Sequence, residues 1–290
     1  MTDPDPVFEA LRPRLFALAY RMLGMVADAE DVLQEAFLRW SATDRDKVRE
    51  PGAFLTTVVT RLCMDILGSA RARRESYVGP WLPEPLLAGD DPAASAELAD
   101  SLSLAFLVLL EELTPAERAA FLLHDVFGYG YDELSRIVAK DPAACRQLVS
   151  RARRHAAARR QRFDADPELA GRLCQEFVTA CAGGDIDRLV GILAQDVVVW
   201  TDGGGKVKAA LRPVTGPERA ARFLIGVTRK IPAGSTVQLA RLNGQPGVLI
   251  TVDGAVTAAL ALDIVTGSIV GVRVVTNPDK LAAVNTAAGR

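Results

Sequence analysis

The chain has 290 residues, long enough for two or three domains, and it carries 34 basic against 36 acidic side chains. Hydrophobic residues make up 49% and charged residues 24%, which is typical of a folded, soluble protein. The N-terminus lacks the basic start and apolar core of a secretion signal, and no run of about 18 apolar residues is apparent. We therefore expect a cytoplasmic protein that does not contact a membrane.

The cysteines and histidines form no pattern that is typical of a catalytic or metal site. The four cysteines are Cys63, Cys145, Cys174 and Cys181. No two of them have CxxC spacing, and no histidine lies at zinc-ligand spacing from any of them. Cys174 and Cys181 are seven residues apart on one helix face, which favours core packing over redox sensing. With only His124 and His155 available, we expect no metal site and no cofactor.

The first two predicted elements are amphipathic helices. Apolar residues recur at helical spacing over residues 7–23, and Gly24 ends the pattern. Asp28 is the expected N-cap of a second helix, AEDVLQEAFLRW, whose apolar residues face inward. Its other face carries Glu30, Asp31, Gln34 and Glu35. That acidic face suits either solvent or a basic partner.

A third helix is predicted to begin at Pro51. Its expected core stripe consists of Phe54, Leu55, Val58, Leu62 and Ile66. Arginines follow towards its C-terminal end: Arg61, Arg71, Arg73 and Arg74. They suit the helix dipole as well as nucleic acid, so this signal is weak alone.

Residues 76–93 have the glycines and prolines of a linker, yet they contain WLPEPL at positions 81–86. One tryptophan and two leucines would leave apolar area in water if the segment were free. We expect this segment to dock on another part of the chain.

Residues 94–162 are predicted to form a second helical domain with a helix-turn-helix. A helix over about 94–113 leads to a capping box from Thr114 to Glu117, and the next helix ends at Gly128. A short helix from Tyr131 to about Val138 then precedes the break at residues 140–142. Two short helices, a tight turn and a basic second helix are typical of major-groove binding.

The second helix of this motif concentrates positive charge. Residues 136–162 contain nine Arg or Lys against one Asp in a chain of net charge −2. Ala144, Leu148 and Ala152 are expected to face inward. The polar face carries Arg146, Gln147, Ser150, Arg151 and Arg154. Arginine suits phosphates and guanine edges, and glutamine can pair with adenine. A solvated basic helix is the alternative.

From residue 166 onwards the pattern becomes α+β. Helices over 167–182 and 185–194 precede the strand DVVVW, the glycine turn DGGGK and a helix over 217–230. Four alternating segments follow at 236–242, 247–253, 256–263 and 268–275, separated by Asn-Gly, Asp-Gly and Thr-Gly turns. Helices followed by an antiparallel sheet indicate an α+β domain that ends near NPDKL.

On these residues, the chain resembles an extracytoplasmic-function sigma factor of bacterial RNA polymerase. The motifs AEDVLQEAFLRW and PGAFLTTVVTRLCMDIL match sigma domain two (7–75), and LTPAERAAFLLHDVFGYGYDELSRIV matches sigma domain four (94–162). The remainder resembles a SnoaL-like cone domain (166–281) with a tail (282–290). One sigma-factor subgroup carries this extension together with WLPEPL, DGGGK and NPDKL, which all occur here. The resemblance implies two all-α domains followed by an α+β cone.

The resemblance also assigns functional residues. RNA polymerase core is expected to bind Asp31, Gln34 and Glu35. The melted −10 strand is expected to contact Arg61, Asp65, Arg71 and Arg73. The duplex −35 element is expected to contact Arg146, Gln147, Ser150, Arg151 and Arg154, within and just after the segment from Tyr131 to Ser150. No catalytic residue is implied.

The three subgroup motifs are expected to make regulatory contacts within the chain. They supply Trp81, Leu82, Glu84, Leu86, Asp202, Lys206, Asn277, Asp279, Lys280 and Leu281. We expect the C-terminal domain to act as a built-in regulator of polymerase affinity. A small ligand that fills the cone and shifts this contact is a further hypothesis.

Two other functions are open at this point. A SnoaL-like isomerase or cyclase would need an acid or base, and the cone offers Asp196, Asp202, Asp253 and Asp263 but no histidine. A one-component helix-turn-helix repressor or activator with a ligand-binding domain would bind its promoter without polymerase. The acidic helix beside the arginine-bearing third helix favours the sigma factor.

Overall fold

The computed structural model describes residues 5–75, 77–87, 102–157 and 166–288; the side chains at 70–75, 156–157, 167 and 288 are likewise outside the description. The described residues divide into two compact units. The N-terminal unit comprises 5–75, 102 and 106–157. The C-terminal unit comprises 77–87, 103–105 and 166–288.

The N-terminal unit begins with three helices, α1 (Pro6–Leu23), α2 (Val26–Ser41) and α3 (Pro51–Glu75). Asp5 caps α1 by accepting hydrogen bonds from the Val7 and Phe8 amides, and its other oxygen accepts one from Trp40 Nε1 at 3.0 Å. Gly24 ends α1 with φ 72°, as expected. The expected cap of α2 was wrong: the helix begins at Val26, so Asp28 lies in its first turn.

The buried stripe of α3 differs from the predicted one. Leu55, Val59 and Cys63 are fully buried against α1 and α2, whereas Phe54 and Val58 are only half-buried. Because this helix is apolar around most of its circumference, hydrophobic periodicity could not select the inward face. The half-buried face is therefore available to line a site.

By length and composition alone, the stretch Pro51–Ser69 of α3 is apolar enough to cross a membrane, with a mean hydropathy of 1.2. Two charged residues interrupt this stretch, so the expectation of no continuous apolar run of about 18 residues stands. The stretch contains Arg61 and Asp65, and its inner face packs on α1 and α2. A core helix passes the same test, so the observation is weak evidence for a membrane span.

The helix-turn-helix lies in the second half of the N-terminal unit. Helix α4 (Leu104–Leu110) is the described end of the helix expected over 94–113; residues 94–101 lie outside the description. Helix α5 (Pro115–Phe121) begins with the predicted capping box and continues into a π-helical turn, Leu122–Val126. Helices α6 (Tyr131–Val138) and α7 (Pro142–Ala157) complete the motif.

The C-terminal unit combines helices with a six-stranded sheet. Its helices are α8 (Pro167–Gly183), α9 (Ile186–Ile192), α10 (Pro217–Thr228) and α11 (Ala282–Ala288). Its strands are β1 (Leu193–Asp202), β2 (Val214–Thr215), β3 (Thr236–Leu242), β4 (Gln245–Val252), β5 (Ala255–Val265) and β6 (Ser268–Val275).

The strand order is β2-β1-β6-β5-β4-β3. The purely antiparallel sheet that we expected was wrong in one pairing, because β1 and β6 run parallel. The three predicted hairpin turns are present. Asn243, Asp253 and Thr266 have φ of 52°, 51° and 46°, and the following glycines also have positive φ. Two successive positive φ values are the type I′ geometry that suits a twisted hairpin.

The two faces of the sheet differ in chemistry. Leu262, Val272 and Val199 belong to the apolar core beneath helices α8, α9 and α10. Since side chains alternate along a strand, Asp263, Arg273 and Trp200 lie on the opposite face. The Asp263–Arg273 pair therefore lies on the face away from these helices.

The cysteines provide a test of the core. Burial raises the thiol pKa to about 11 for Cys174 and about 12 for Cys181, and it also raises the pKa of Cys63 and Cys145. At pH 8 we therefore expect a thiolate fraction of about one in a thousand at Cys174. A disulfide-exchange reagent should leave native protein unlabelled over minutes and label all four thiols in guanidinium. Rapid labelling of native protein would contradict the buried placement.

Candidate functional site

The acidic residues of α2 form an exposed stripe. Asp31 and Gln34 are exposed, and Glu35 accepts a hydrogen bond from Arg39 Nε at 2.8 Å. Leu38 continues the same face one turn later and is 56% exposed. Sequence analysis missed Leu38, although its i+7 spacing from Asp31 is the signal that could have identified it. An apolar side chain bordered by carboxylates is suited to a basic, partly apolar protein surface.

The arginine of α3 that was assigned to DNA is engaged within the unit. Arg61 donates from Nε to the Ile137 carbonyl at 3.2 Å and from Nη2 to the Arg136 carbonyl at 3.1 Å. Both carbonyls lie near the C-terminal end of α6, where the helix dipole favours a cation. Asp65 is exposed one turn further along α3. The side chains of Arg71 and Arg73 lie outside the described residues.

Further contacts join α1 and α3 to the second half of the N-terminal unit. Tyr129 and Thr56 share a hydrogen bond of 2.9 Å between their hydroxyls. Arg118 donates from Nη1 to the Met22 carbonyl at 2.6 Å and pairs with Glu111. Burial lowers the pKa of the Arg118 guanidinium to about 9. These residues carry no recognisable motif, so sequence analysis gave no signal for them.

A groove of about 380 Å³ lies beside these contacts. Its floor is apolar and aromatic, and three arginines and two glutamates stand around it. The lining residues are Arg39, Glu50, Ala53, Phe54, Thr57, Val58, Arg61, Tyr129, Glu133, Arg136 and Ile137. The half-buried face of α3 thus forms one wall of the groove.

The helix-turn-helix presents its polar face to solvent. Ala139 has φ 53° in the turn, and Asp141 caps α7 by accepting the Ala144 amide at 2.8 Å. The assigned residues are all exposed: Arg146, Gln147, Ser150, Arg151 and Arg154. The inward face was partly mispredicted, because Cys145 and Val149 join Ala152 in the core. Ala144 and Leu148 are half-buried.

Part of this polar face lines a cavity of about 300 Å³. Arg146, Ser150 and Arg154 lie around it with Tyr131 and Arg153. Arg153 is held by two hydrogen bonds to the Asp125 carboxylate, at 2.8 and 2.6 Å. The arrangement offers several cations to a phosphate or a base edge.

In the C-terminal unit, four donors converge on the carboxylate of Asp202, the first residue of DGGGK. They are the Tyr77 hydroxyl at 2.5 Å, the Leu82 amide at 2.8 Å, the Gly204 amide at 3.1 Å and Lys280 Nζ at 2.7 Å. Asp202 is fully buried. Burial and then the Asp202 carboxylate raise the pKa of the Tyr77 hydroxyl, so that it remains a donor.

Lys280, from NPDKL, completes this cluster. It donates to the Leu82 carbonyl at 2.5 Å, and its ammonium lies 4.2 Å from the ring centroid of Trp81 and 4.9 Å from that of Tyr77. A buried ammonium with a carboxylate, a carbonyl and two aromatic faces is well compensated. The cluster of Tyr77, Trp81, Leu82, Asp202 and Lys280 is called the linker clamp below.

The other motif residues surround the linker clamp. Asn277 donates to the Tyr77 hydroxyl at 3.0 Å, and a Cβ added to Gly204 would lie 2.3 Å from its Nδ2. Lys206 and Asp279 form an exposed ion pair. Glu84, Leu86 and Leu281 are buried. The structure thus brings WLPEPL, DGGGK and NPDKL together.

The four candidate acids do not converge on a cavity. Asp196 and Asp253 are exposed. Asp202 pairs with Lys280, and Asp263 pairs with Arg273 on the sheet face away from the helices. Within the part of the chain that is described, no three His, Cys, Asp or Glu side chains are grouped to hold a metal ion.

Comparisons with known proteins agree with the two helical motifs. The model of Sigma-70 region 2 matches residues 7–74, and that of Sigma-70 region 4 matches residues 103–155. The ECF RNA polymerase sigma factor SigJ of Mycobacterium tuberculosis is 41% identical, covering 94% of this chain and 91% of its own length. The chain belongs to the extracytoplasmic-function sigma factors.

Two further relatives extend this result. The probable ECF sigma factor SigI of M. tuberculosis is 34% identical, with 97% of both chains covered. The crystal structure of M. tuberculosis SigJ matches this sigma factor with a TM-score of 0.77 and 37% identity over 96% of this chain and 98% of that one. The expected fold, two all-α sigma domains followed by an α+β SnoaL-like domain, is confirmed. The sigma factor directs RNA polymerase to promoters and supports transcription initiation.

The linker clamp allows a matched test. Lys280→Met removes the buried partner of Asp202, and leaving such a carboxylate uncompensated costs about 3–5 kcal/mol. Lys206→Met removes an exposed partner of Asp279, for which about 0–1 kcal/mol is expected. We expect a clear drop in the unfolding midpoint and a changed Trp81 emission only for Lys280→Met. Equal effects of the two variants would show that the clamp does not hold the linker.

Proposed function

We propose that domain two of this sigma factor docks on polymerase core through α2, that both helical domains contact promoter DNA, and that the C-terminal domain regulates these steps by holding the linker. The linker clamp is the observation that carries the regulatory part of this proposal. It supports this part because residues 77–82 of the linker hydrogen-bond to Asp202 and Lys280 of the C-terminal unit, so that a change in this unit can reach the segment that joins the two helical domains.

The core-binding surface consists of Asp31, Gln34, Glu35 and the exposed Leu38. Its carboxylates supply electrostatic attraction to a basic partner, and Leu38 supplies apolar area that is lost from water on docking. The Asp31 side chain is exposed and pairs with no other residue in the described part of the chain, so its charge is available to another protein.

The DNA contacts divide between two helices. Arg146, Gln147, Ser150, Arg151 and Arg154 read the −35 duplex from α7. Arg61 and Asp65 contact the −10 strand from α3, with Arg71 and Arg73 further along the same helix. Because Arg61 is bound to the Ile137 and Arg136 carbonyls, its engagement with DNA requires domain four to leave the face of α3.

The C-terminal domain is proposed to act by binding its own linker and not by catalysis. Its helix-covered interior is lined by apolar side chains, and both buried acids are neutralised by Lys280 and Arg273. An isomerase or cyclase needs an acid or base facing its substrate cavity, and these acids lie elsewhere. We place the protein in the cytoplasm with polymerase and DNA as its partners.

Charge reversal on α2 tests the core-binding surface. Asp31→Lys should reduce binding to core polymerase by tenfold or more, because it replaces attraction with repulsion at an exposed site. Asp44→Lys, also exposed in domain two but outside this face, is the control. Binding can be measured by fluorescence anisotropy with unchanged circular dichroism as a check. If the Asp31→Lys variant bound core polymerase as tightly as the Asp44→Lys variant does, this face of α2 would not be the core-binding surface.

Substitution on α7 tests the −35 contact. Arg151→Ala should weaken promoter recognition by about 1–3 kcal/mol if Arg151 contacts a base edge bidentately. The measurement is holoenzyme affinity for the cognate −35 element and for a scrambled element. An equal loss on both sequences would reassign Arg151 to a phosphate.

A further inference from the structure

The turn between β3 and β4 contacts the end of the WLPEPL motif. The Leu86 amide donates to Asn243 Oδ1 at 2.9 Å, and the Asn243 amide donates to the Leu86 carbonyl at 2.8 Å. Leu87 then forms an antiparallel bridge with Leu242, the last residue of β3. Hydrogen bonds from the backbone and from a side chain therefore pair residues 86 and 87 of the linker with the end of β3, which is an edge strand.

The same turn contacts the start of helix α4. Gln245, the first residue of β4, accepts the Leu104 amide on Oε1 at 3.1 Å. Leu104 is the first residue of α4, which lies at the described start of domain four. Residues 87 and 104 therefore both contact a stretch of only four residues, 242–245.

Gln245 is oriented by a buried network. Its Nε2 donates to Asp263 Oδ1 at 2.9 Å, which fixes the amide so that Oε1 faces Leu104. Asp263 pairs with Arg273, whose guanidinium lies 4.5 Å from the Trp200 ring centroid. A Cβ on Gly271 would lie 2.2 Å from Asp263 Oδ2, so glycine is needed there. None of these residues belongs to the three subgroup motifs.

We propose that Leu242, Asn243 and Gln245 form a hairpin clasp that holds Leu86, Leu87 and Leu104 at one turn of the C-terminal domain, and that this clasp opens when the sigma factor engages a promoter. The inference rests on the proposed function, because it assumes that the two domains bind separate promoter elements. The partner of this surface is the chain's own linker.

The distance between the two promoter elements indicates that the clasp must open. Elements centred near −35 and −10 are about 25 base pairs apart, which is roughly 85 Å along B-DNA. About 17 residue steps separate Leu87 from Leu104, and an extended chain of that length spans about 60 Å. While Leu87 and Leu104 are both held at residues 242–245, their separation is far smaller than this span.

The chain offers variants that separate the clasp from the fold. Asn243→Gly keeps the positive φ of the turn but deletes the acceptor for Leu86, and Gln245→Met deletes both hydrogen bonds at nearly constant volume. Asp253→Gly, the control, is a similar change at an exposed turn of similar geometry that makes no hydrogen bond to the described part of the linker.

The experiment combines hydrogen exchange of the full chain with promoter-complex formation by core polymerase at limiting sigma factor. For Asn243→Gly with Gln245→Met, we expect at least tenfold faster exchange over residues 82–87 and 103–107 and at least threefold more promoter complex. Asp253→Gly should change neither measurement.

Unchanged exchange in the double variant would overturn the clasp, as would faster exchange with an unchanged or reduced yield of promoter complex. A wild-type chain that forms no promoter complex on any template would instead overturn the proposed function. The two failures are therefore distinguishable.

Discussion

The buried ion pair between Asp202 and Lys280 is the constraint on which the C-terminal unit depends. Desolvating two charges is costly, and here the cost is offset because each remaining lone pair or proton has a partner among Tyr77, Leu82 and Gly204. These partners come from sequence segments more than 100 residues apart. The clamp forms only when the linker is seated, so linker position and domain integrity are energetically coupled.

Each compact unit of the sigma factor has its own set of internal contacts. The C-terminal unit holds residues 77–87 and 103–105, while domains two and four share the N-terminal unit through Arg61, Arg118 and Tyr129. In the proposed function, the carbonyls of domain four that bind Arg61 compete with a DNA strand for this side chain. Under that proposal, regulation consists of exchanging contacts within the chain for contacts with polymerase and promoter, and this exchange requires no small ligand.

Much of the fold was predictable because local chemistry determined it. The hairpin turns at Asn243, Asp253 and Thr266 and the capping box at Thr114 were predicted at the observed residues. Helix α3 was misread because a nearly all-apolar helix has no periodicity to orient it. Asp202 looked like a turn residue or an acid, and only the fold shows Lys280 beside it. Leu38, Arg118 and Gln245 acquire their significance from distant partners, which spacing along the chain does not record.

The most direct measurement of the central claim is promoter-dependent transcription by core polymerase with the full chain, on a genome-wide set of templates. The account predicts transcripts from a limited set of promoters that share −35 and −10 sequences, and none from core alone. Specific retention of duplex fragments by the free protein, without transcript initiation when core is added, would contradict it and favour a repressor or activator.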